Sequence, residues 1–314
     1  MRKSSRLWAA GCAARPITFR VAAILNGIVS CGVLLSACAL GGNFAQDFQS
    51  ARKLYYSGKA AEAEEAFVAL AEQKVSQRAT DESLAQAAAC ALAQKKYDKA
   101  VQYAGKIADP PLNKSCRINI FRHRSQWDQI LALCKGEDIE TWPDALIYDA
   151  LLWRGRAYAV KQDCPNAEKD FISAVRHTVL ADNKAFAYQF LGDLYRDISK
   201  DEQKALDAYG EAVKLGGSIP VRRLAAAAIA RARLLAAHGK GAAALAEMDR
   251  LKADQMKDPY WRCAIQMCHA EILEGLGRTA DALARYKIVV SYDNAPDVFL
   301  GAAKKKIEAI EKKR

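Results

Sequence analysis

The sequence predicts an all-α chain built from repeated antiparallel helix pairs. Three observations predict it. A spacing of small and large residues returns about seven times between Ala51 and Val290. The composition is 51% hydrophobic and 26% charged, with only 8 prolines and with alanine runs such as Ala87-Ala88-Ala89 and Ala225-Ala226-Ala227-Ala228. Alanine is the best helix former and lets helices approach closely. No stretch shows sustained period-2 alternation of β-branched residues, which argues against a sheet. The same composition argues against disorder.

The chain starts with a segment of a different kind, residues 1–38. Arg2, Lys3, Arg6, Arg15 and Arg20 come with no acid, and an apolar stretch runs from Val21 to Leu40. A basic lead before an apolar core is the layout of a bacterial export signal. The stretch closes on Leu35-Ser36-Ala37-Cys38, which resembles the lipobox of bacterial lipoproteins, cut before the cysteine. The resemblance implies that Cys38 becomes a lipidated first residue whose acyl chains hold the protein to a membrane. Two other readings stand beside it. Ordinary signal cleavage fits Ala37-Cys38-Ala39 and, more weakly, Ala45 before Gln46. Retention as an anchor also fits, because roughly 20 apolar residues span a bilayer. All three readings place the rest of the chain outside the cytoplasm, in the periplasm or at the outer membrane of a bacterial envelope. Ala39 lacks the Asp that resembles an inner-membrane retention signal, which favours the outer membrane.

Residues 46–292 carry the repeats. One small residue per unit opens the close contact of the second helix: Ala63, Ala100, Ala167, Ala205, Ala244 and Ala282, with Ile130 in the third unit. The intervals are 37, 30, 37, 38, 39 and 38 residues. Four residues later come Phe67, Ala104, Cys134, Phe171, Tyr209, Met248 and Tyr286, on the same helix face. First helices carry matching pairs, among them Ala51 with Leu54, Gly155 with Tyr158, Gly192 with Tyr195, and Ala270 with Leu273. Gly58, Gly239 and Gly277 fall where a first helix ends, and each suits the left-handed cap. Asp109-Pro110-Pro111, Trp142-Pro143, Ser218-Ile219-Pro220 and Asp258-Pro259 mark boundaries between units, since proline stops a helix or opens the next. The unit around Cys116–Cys134 is short and lacks the small residues. Residues 293–314 read as a capping helix and basic tail, with Asp297 as N-cap and Val298, Phe299, Ala302, Ile307 and Ile310 covering the last unit.

These residues resemble the tetratricopeptide repeat, whose pattern is Trp-x2-Leu-Gly-x2-Tyr, then Ala-x3-Phe, then Pro. The fourth and fifth units match best, with Leu151 and Arg154 replacing the Trp and Leu of the fourth. The periods exceed the usual 34 residues by three to five in most units. The resemblance implies a right-handed α-solenoid of about seven repeats plus a capping helix. It also implies a partner-binding wall formed by the first helices. Carried over by register, that wall holds Arg52, Tyr55 and Tyr56 in the first unit, and Asn119, Arg122 and His123 in the third. It holds Leu152 and Arg156 in the fourth, and Phe186, Gln189, Asp193 and Arg196 in the fifth. Arg233 follows in the sixth, with Met267 and Glu271 in the seventh. Arginines interleaved with aromatics suit an extended peptide with acidic groups, because the guanidinium fork pairs with carboxylates and stacks on rings. A solvated face with ordinary ion pairs is the bland alternative. The recurring Lys/Asn set that resembles a carboxylate clamp is missing.

Charge and cysteines narrow the function classes. The net charge is +11, but removal of residues 1–38 leaves 42 basic and 36 acidic residues. The span Lys304 to Arg314 alone holds six basic residues and two acids, so the body is near neutral. No basic stripe for nucleic acid stands out. No cysteine pair has CxxC spacing and the four histidines are scattered, so no metal or cofactor is expected. Cys116 and Cys134 are the candidate disulfide if the chain is exported, against a packing role as small apolar side chains. Gly239-Lys240-Gly241 lacks a phosphate-loop lead-in, and neither HExxH nor GxSxG is present. The expectation is a non-catalytic scaffold of the cell envelope that binds other proteins. An outer-membrane assembly role and a cell-wall glycan binder are the alternatives.

Overall fold

The computed structural model describes residues 42–312. Cys38 and the segment before it lie outside the described residues. Among the described residues there are fifteen α-helices and no strand. The first three pairs are α1 (Gly42–Tyr56) with α2 (Ala60–Glu72), α3 (Gln77–Ala93) with α4 (Tyr97–Gly105), and α5 (Pro110–His123) with α6 (Trp127–Leu133). They are followed by α7 (Asp144–Val160) with α8 (Cys164–Arg176), and α9 (Ala181–Leu194) with α10 (Glu202–Lys214). The last two pairs are α11 (Val221–Ala237) with α12 (Gly241–Arg250), and α13 (Pro259–Gly275) with α14 (Thr279–Ser291). The helix α15 (Asp297–Glu311) ends the series. The chain divides into two compact units, Met1–Ala157 and Tyr158–Arg314, with the division inside α7.

The second-helix anchors behave as their spacing predicts. Ala63, Ala100, Ile130, Ala167, Ala205, Ala244 and Ala282 all have zero exposure. Their partners four residues on, from Phe67 to Tyr286, are buried as well. A buried Phe or Leu of this kind contributes about 1.5–3 kcal/mol, so the repeated pair is the main source of cohesion. The tyrosine hydroxyls that this packing would strand are each met by a carboxylate. Tyr103 donates to Glu64 at 2.9 Å, Tyr195 to Glu168 at 2.6 Å, Tyr209 to Asp193 at 2.7 Å and Tyr286 to Glu274 at 2.9 Å. Glu64, itself almost fully buried, also accepts from Gln94 and Lys99 at 2.7 Å each.

All seven hairpin turns share one device, of which the glycines reveal only three cases. A residue with left-handed backbone ends each first helix: Gly58, Lys95, Ser125, Gln162, Lys200, Gly239 and Gly277. They recur at the same intervals as the anchors. The next N–H then bonds back across the helix end, as in Lys59 to Leu54 at 3.0 Å and Arg278 to Leu273 at 2.9 Å. This satisfies carbonyls that the helix terminus leaves unpaired. In the fifth hairpin the bond runs from Asp201 to Tyr195 at 2.9 Å, one residue further, because Tyr195–Ser199 is a π-helical turn. Prolines open α5, α8 and α13 within their first turn. Side chains of Ser76, Asp109, Asp163, Asp201 and Asp258 cap their helices.

Two sequence expectations about the last helix need correction, while of the two readings for the cysteines the structure has the packing one: Cys116 and Cys134 are not bonded to each other. Both side chains are buried, and Cys134 sits just past the end of α6, in the position that an aromatic anchor takes in neighbouring units. Burial pushes the Cys116 thiol up to about 12, so it stays protonated and inert. Asp297 is the first residue of α15 rather than its cap; Pro296 takes that place and makes no side-chain cap. Val298 and Ala302 face outward, while Ala303 and Ile310 are buried and Phe299 and Ile307 pack beside them. The covering stripe of α15 is thus turned by about one residue from the predicted one.

Candidate partner-binding face

Within the first unit, charge and ring contacts connect Tyr55 on α1, Arg122 on α5 and Trp153 on α7. Tyr55 on α1 lies within electrostatic reach of Cys90 on α3 and Arg122 on α5. The Arg122 guanidinium stacks over Trp153 of α7, with Cζ 4.3 Å from the ring centroid. Its Nε donates to Asn119 Oδ1 at 2.7 Å, one helical turn earlier. Asp149, one turn before Trp153 on α7, contributes the nearby negative charge. Positions 119 and 122, like 149 and 153, share a helix face because residues three and four apart are neighbours.

The electrostatics are those of a partly dry site. Burial pulls the Arg122 guanidinium down to about 10, against the opposing pull of Asp149 and Tyr55. Burial pushes the Asp149 carboxyl up to about 6, although Arg122 works the other way. His123 is held down to about 4 by burial and by the charge of Arg122 beside it, so it is neutral at pH 7.

The predicted residues fall into two groups. Tyr55 and Asn119 are each only 4% exposed, so they do not offer contact area; they position Tyr56 and Arg122. Tyr56 is 45% exposed and meets the Tyr55 ring edge-on at 6.0 Å. Arg52 is half-buried, bonds Gln49 at 3.5 Å and leaves its Nε without a partner. Arg156 is half-buried on α7. Leu152 is buried, and the residue that faces Arg122 is its neighbour Trp153. Trp153 and Asp149 were missed; their i, i+4 spacing on one helix was the available signal.

In the second unit the expected residues are engaged within the fold. Phe186 stacks against Phe190 at 4.6 Å and lies under Arg223 at 3.8 Å. Arg196 bonds Asp193 at 3.1 Å and Asp197 at 2.7 Å. Arg233 pairs with Glu271 at 2.9 Å, and Met267 is buried. Gln189 is half-buried with its Oε1 unbonded. An open cavity of about 290 Å³ lies among Asp249, His269, Arg278 and Arg285. His269 is 3.8 Å from Asp249, and no nucleophile faces it. Among the described residues no group of three or more His, Cys, Asp or Glu side chains could hold a metal ion. No helix among them is long and apolar enough to cross a membrane.

No family model matches the sequence, and no curated protein does. Solved structures do resemble the fold. A tetratricopeptide repeat protein from Parabacteroides merdae superposes with a TM-score of 0.50 at 16% identity, covering 86% of this chain and all of the other. The C-terminal part of a TPR repeat-containing protein from Cytophaga hutchinsonii gives 0.43 at 19% identity over 85% of this chain and 96% of its own. With the repeated hairpins and their shared cap, the first of these likenesses shows that the chain has the tetratricopeptide-repeat fold.

Proposed function

We propose that the protein is a non-catalytic interaction scaffold that captures a partner peptide or helix on the first-helix face of its first unit. The observation that carries this reading is the Arg122–Trp153 stack, desolvated and oriented, in a unit that also exposes Tyr56 on α1. Arginine, tryptophan and tyrosine dominate the energetics of protein interfaces because they combine area with directed polar groups. The action is binding, with no covalent step. The glycan alternative is weakened because it calls for Tyr55, Tyr56 and Phe186 to be exposed together; Tyr55 is buried, and Phe186 is covered by Arg223. The sequence of residues 1–38 supports export to a bacterial envelope, with the chain held there through lipid on Cys38.

A photo-cross-linking side chain in place of Tyr56 tests the face, with the same group at exposed Gln102 on α4 as control. The reading requires a discrete partner adduct from position 56 and none from 102. Equal labelling from both positions refutes it. Mass analysis of the mature N-terminus tests anchoring: an unmodified start at Leu40 or Gln46 rules out lipid on Cys38.

A further inference from the structure

The start of α1 is pinned into the core of the first unit. Phe44 is 2% exposed, its ring stacks with Phe48 at 6.1 Å, and Phe48 meets Phe67 at 5.2 Å. Only residues 39–41 separate Cys38 from Gly42, so the chain between them spans at most about 14 Å. Successive helices reverse direction, so the link 73–76 between α2 and α3 lies at the same end of the unit as Gly42. Asp81, near the start of α3, brings the link 106–109 to that end too, accepting from the N–H groups of Ala108 and Asp109 at 3.0 and 2.9 Å. Among the described residues of this unit, the exposed large apolar side chains are Tyr56 and Val75. Tyr56 closes α1, a 15-residue helix, and so stands about 22 Å from Gly42 at 1.5 Å per residue. Val75, 42% exposed, sits on the link 73–76, between exposed Lys74 and Arg78. The link is held in shape by Ser76, whose hydroxyl accepts from the Ala79 N–H at 3.1 Å.

Resting on the reading that Cys38 carries lipid, we infer that this end of the first unit is a contact rim for the phospholipid surface. The short tether keeps Gly42 at the headgroups, and Val75 enters the interface. Lys74 and Arg78 lay their stems along the apolar boundary and keep their charges among the phosphates. Charge on the rim is mixed: Lys74, Lys106 and Arg78 stand with Glu72 and with Glu82, which Arg78 meets at 3.0 Å. The contact therefore rests on the tether and on Val75, and it needs no anionic lipid. The exposed flank of α1, with Gln46, Asp47, Gln49, Ser50 and Lys53, offers the bilayer no large apolar side chain. The unit thus stands on its end rather than lying along α1. Its hairpin turns at Gly58, Lys95 and Ser125, with Tyr56 beside the first, point away from the membrane.

The test uses the full lipidated chain in phosphatidylcholine vesicles, with a photo-cross-linking side chain in place of Val75 or of Asp98. Asp98 starts the second turn-side helix α4 at the opposite end of the unit, and its side chain is 97% exposed. Position 75 should give a phospholipid adduct and position 98 none. Inserting about 20 Gly and Ser residues after Gly41 lengthens the tether to a root-mean-square reach of about 25 Å, and the adduct from position 75 should be lost. Both positions lie on the surface, so neither replacement disturbs the core, and the melting temperature checks this. Equal adducts from 75 and 98, or none from 75 on a chain whose mass shows lipid on Cys38, overturn the inference while leaving anchoring standing. A mature chain whose mass shows no lipid overturns the anchoring reading and the inference with it.

Discussion

Gly192 on α9 sets how closely its helix meets α10, and replacing it with alanine has a calculable outcome. A Cβ built there lies 2.4 Å from Tyr209 Cε1, 2.6 Å from Cδ1 and 2.7 Å from Cζ. Non-bonded carbons do not approach below about 3.5 Å without repulsion. The ring must move, yet Tyr209 has zero exposure and donates its hydroxyl to Asp193 at 2.7 Å. Overpacking of this kind costs about 1–3 kcal/mol. Losing a hydrogen bond to a charged acceptor adds about 1.5–3 kcal/mol. Alanine in mid-helix returns about 1 kcal/mol through propensity. The balance is a destabilisation of about 3 kcal/mol, or about 6–12 °C in a unit of this size. Thermal and urea unfolding of Gly192→Ala measure it. Gly301 on α15 is the control: nothing lies within 4 Å of its Cβ position, so Gly301→Ala should stabilise by about 0.5–1 kcal/mol. In a Tyr209→Ala background the sign at position 192 should reverse, since the clash is gone and only propensity remains. A Gly192→Ala protein as stable as the wild type, or no reversal in that background, refutes the reasoning.

Three further outcomes follow from the same structure. For Glu64, burial pushes the carboxyl up, but hydrogen bonds from Lys99, Tyr103 and Gln94 outweigh it and hold it below the usual range. A depressed folded-state value gives stability that is present above the unfolded pKa of about 4.3 and lost as pH falls through the folded one. Glu64→Gln should therefore flatten the acid limb of a stability–pH curve measured by urea unfolding. For Asp149 the sign is opposite: its folded value of about 6 lies above the unfolded one of about 3.9, so stability falls as pH rises from 4 to 6. Asp149→Asn should gain about 2–3 kcal/mol over the wild type at pH 7, about two pKa units at about 1.36 kcal/mol each, and little at pH 4, a difference that paired unfolding curves resolve. Finally, Lys95 and Lys200 hold left-handed backbone at φ of 61° and 57°. A side chain there costs about 1–2 kcal/mol, so Lys95→Gly should raise the unfolding midpoint and Gly58→Ala should lower it.

The fold was legible because it rests on apolar spacing, which a single sequence displays openly. The anchors at Ala63 through Ala282 needed only size and interval to be found, and even the degenerate third unit kept its place through Ile130 and Cys134. Turn chemistry was half legible. Glycine announces a left-handed cap, but Lys95, Ser125, Gln162 and Lys200 adopt the same backbone without any compositional sign. There the tertiary fit of two helices overrides local preference, as packing commonly does.

The face was legible in outline and misread in detail, for a physical reason. Family register says which helix side looks toward the partner, but it does not say how deep a side chain sits. Tyr55 and Asn119 lie on the right side and are still buried. Register likewise assigned equal standing to Arg122, Arg196 and Arg233. Whether a guanidinium is spent inside the fold depends on residues far away in sequence, such as Glu271 for Arg233, 38 positions on. Charge identity is local information and charge compensation is not. An amide and a ring hold Arg122 where carboxylates hold Arg196 and Arg233, and that difference exists only once α5 and α7 have been brought together.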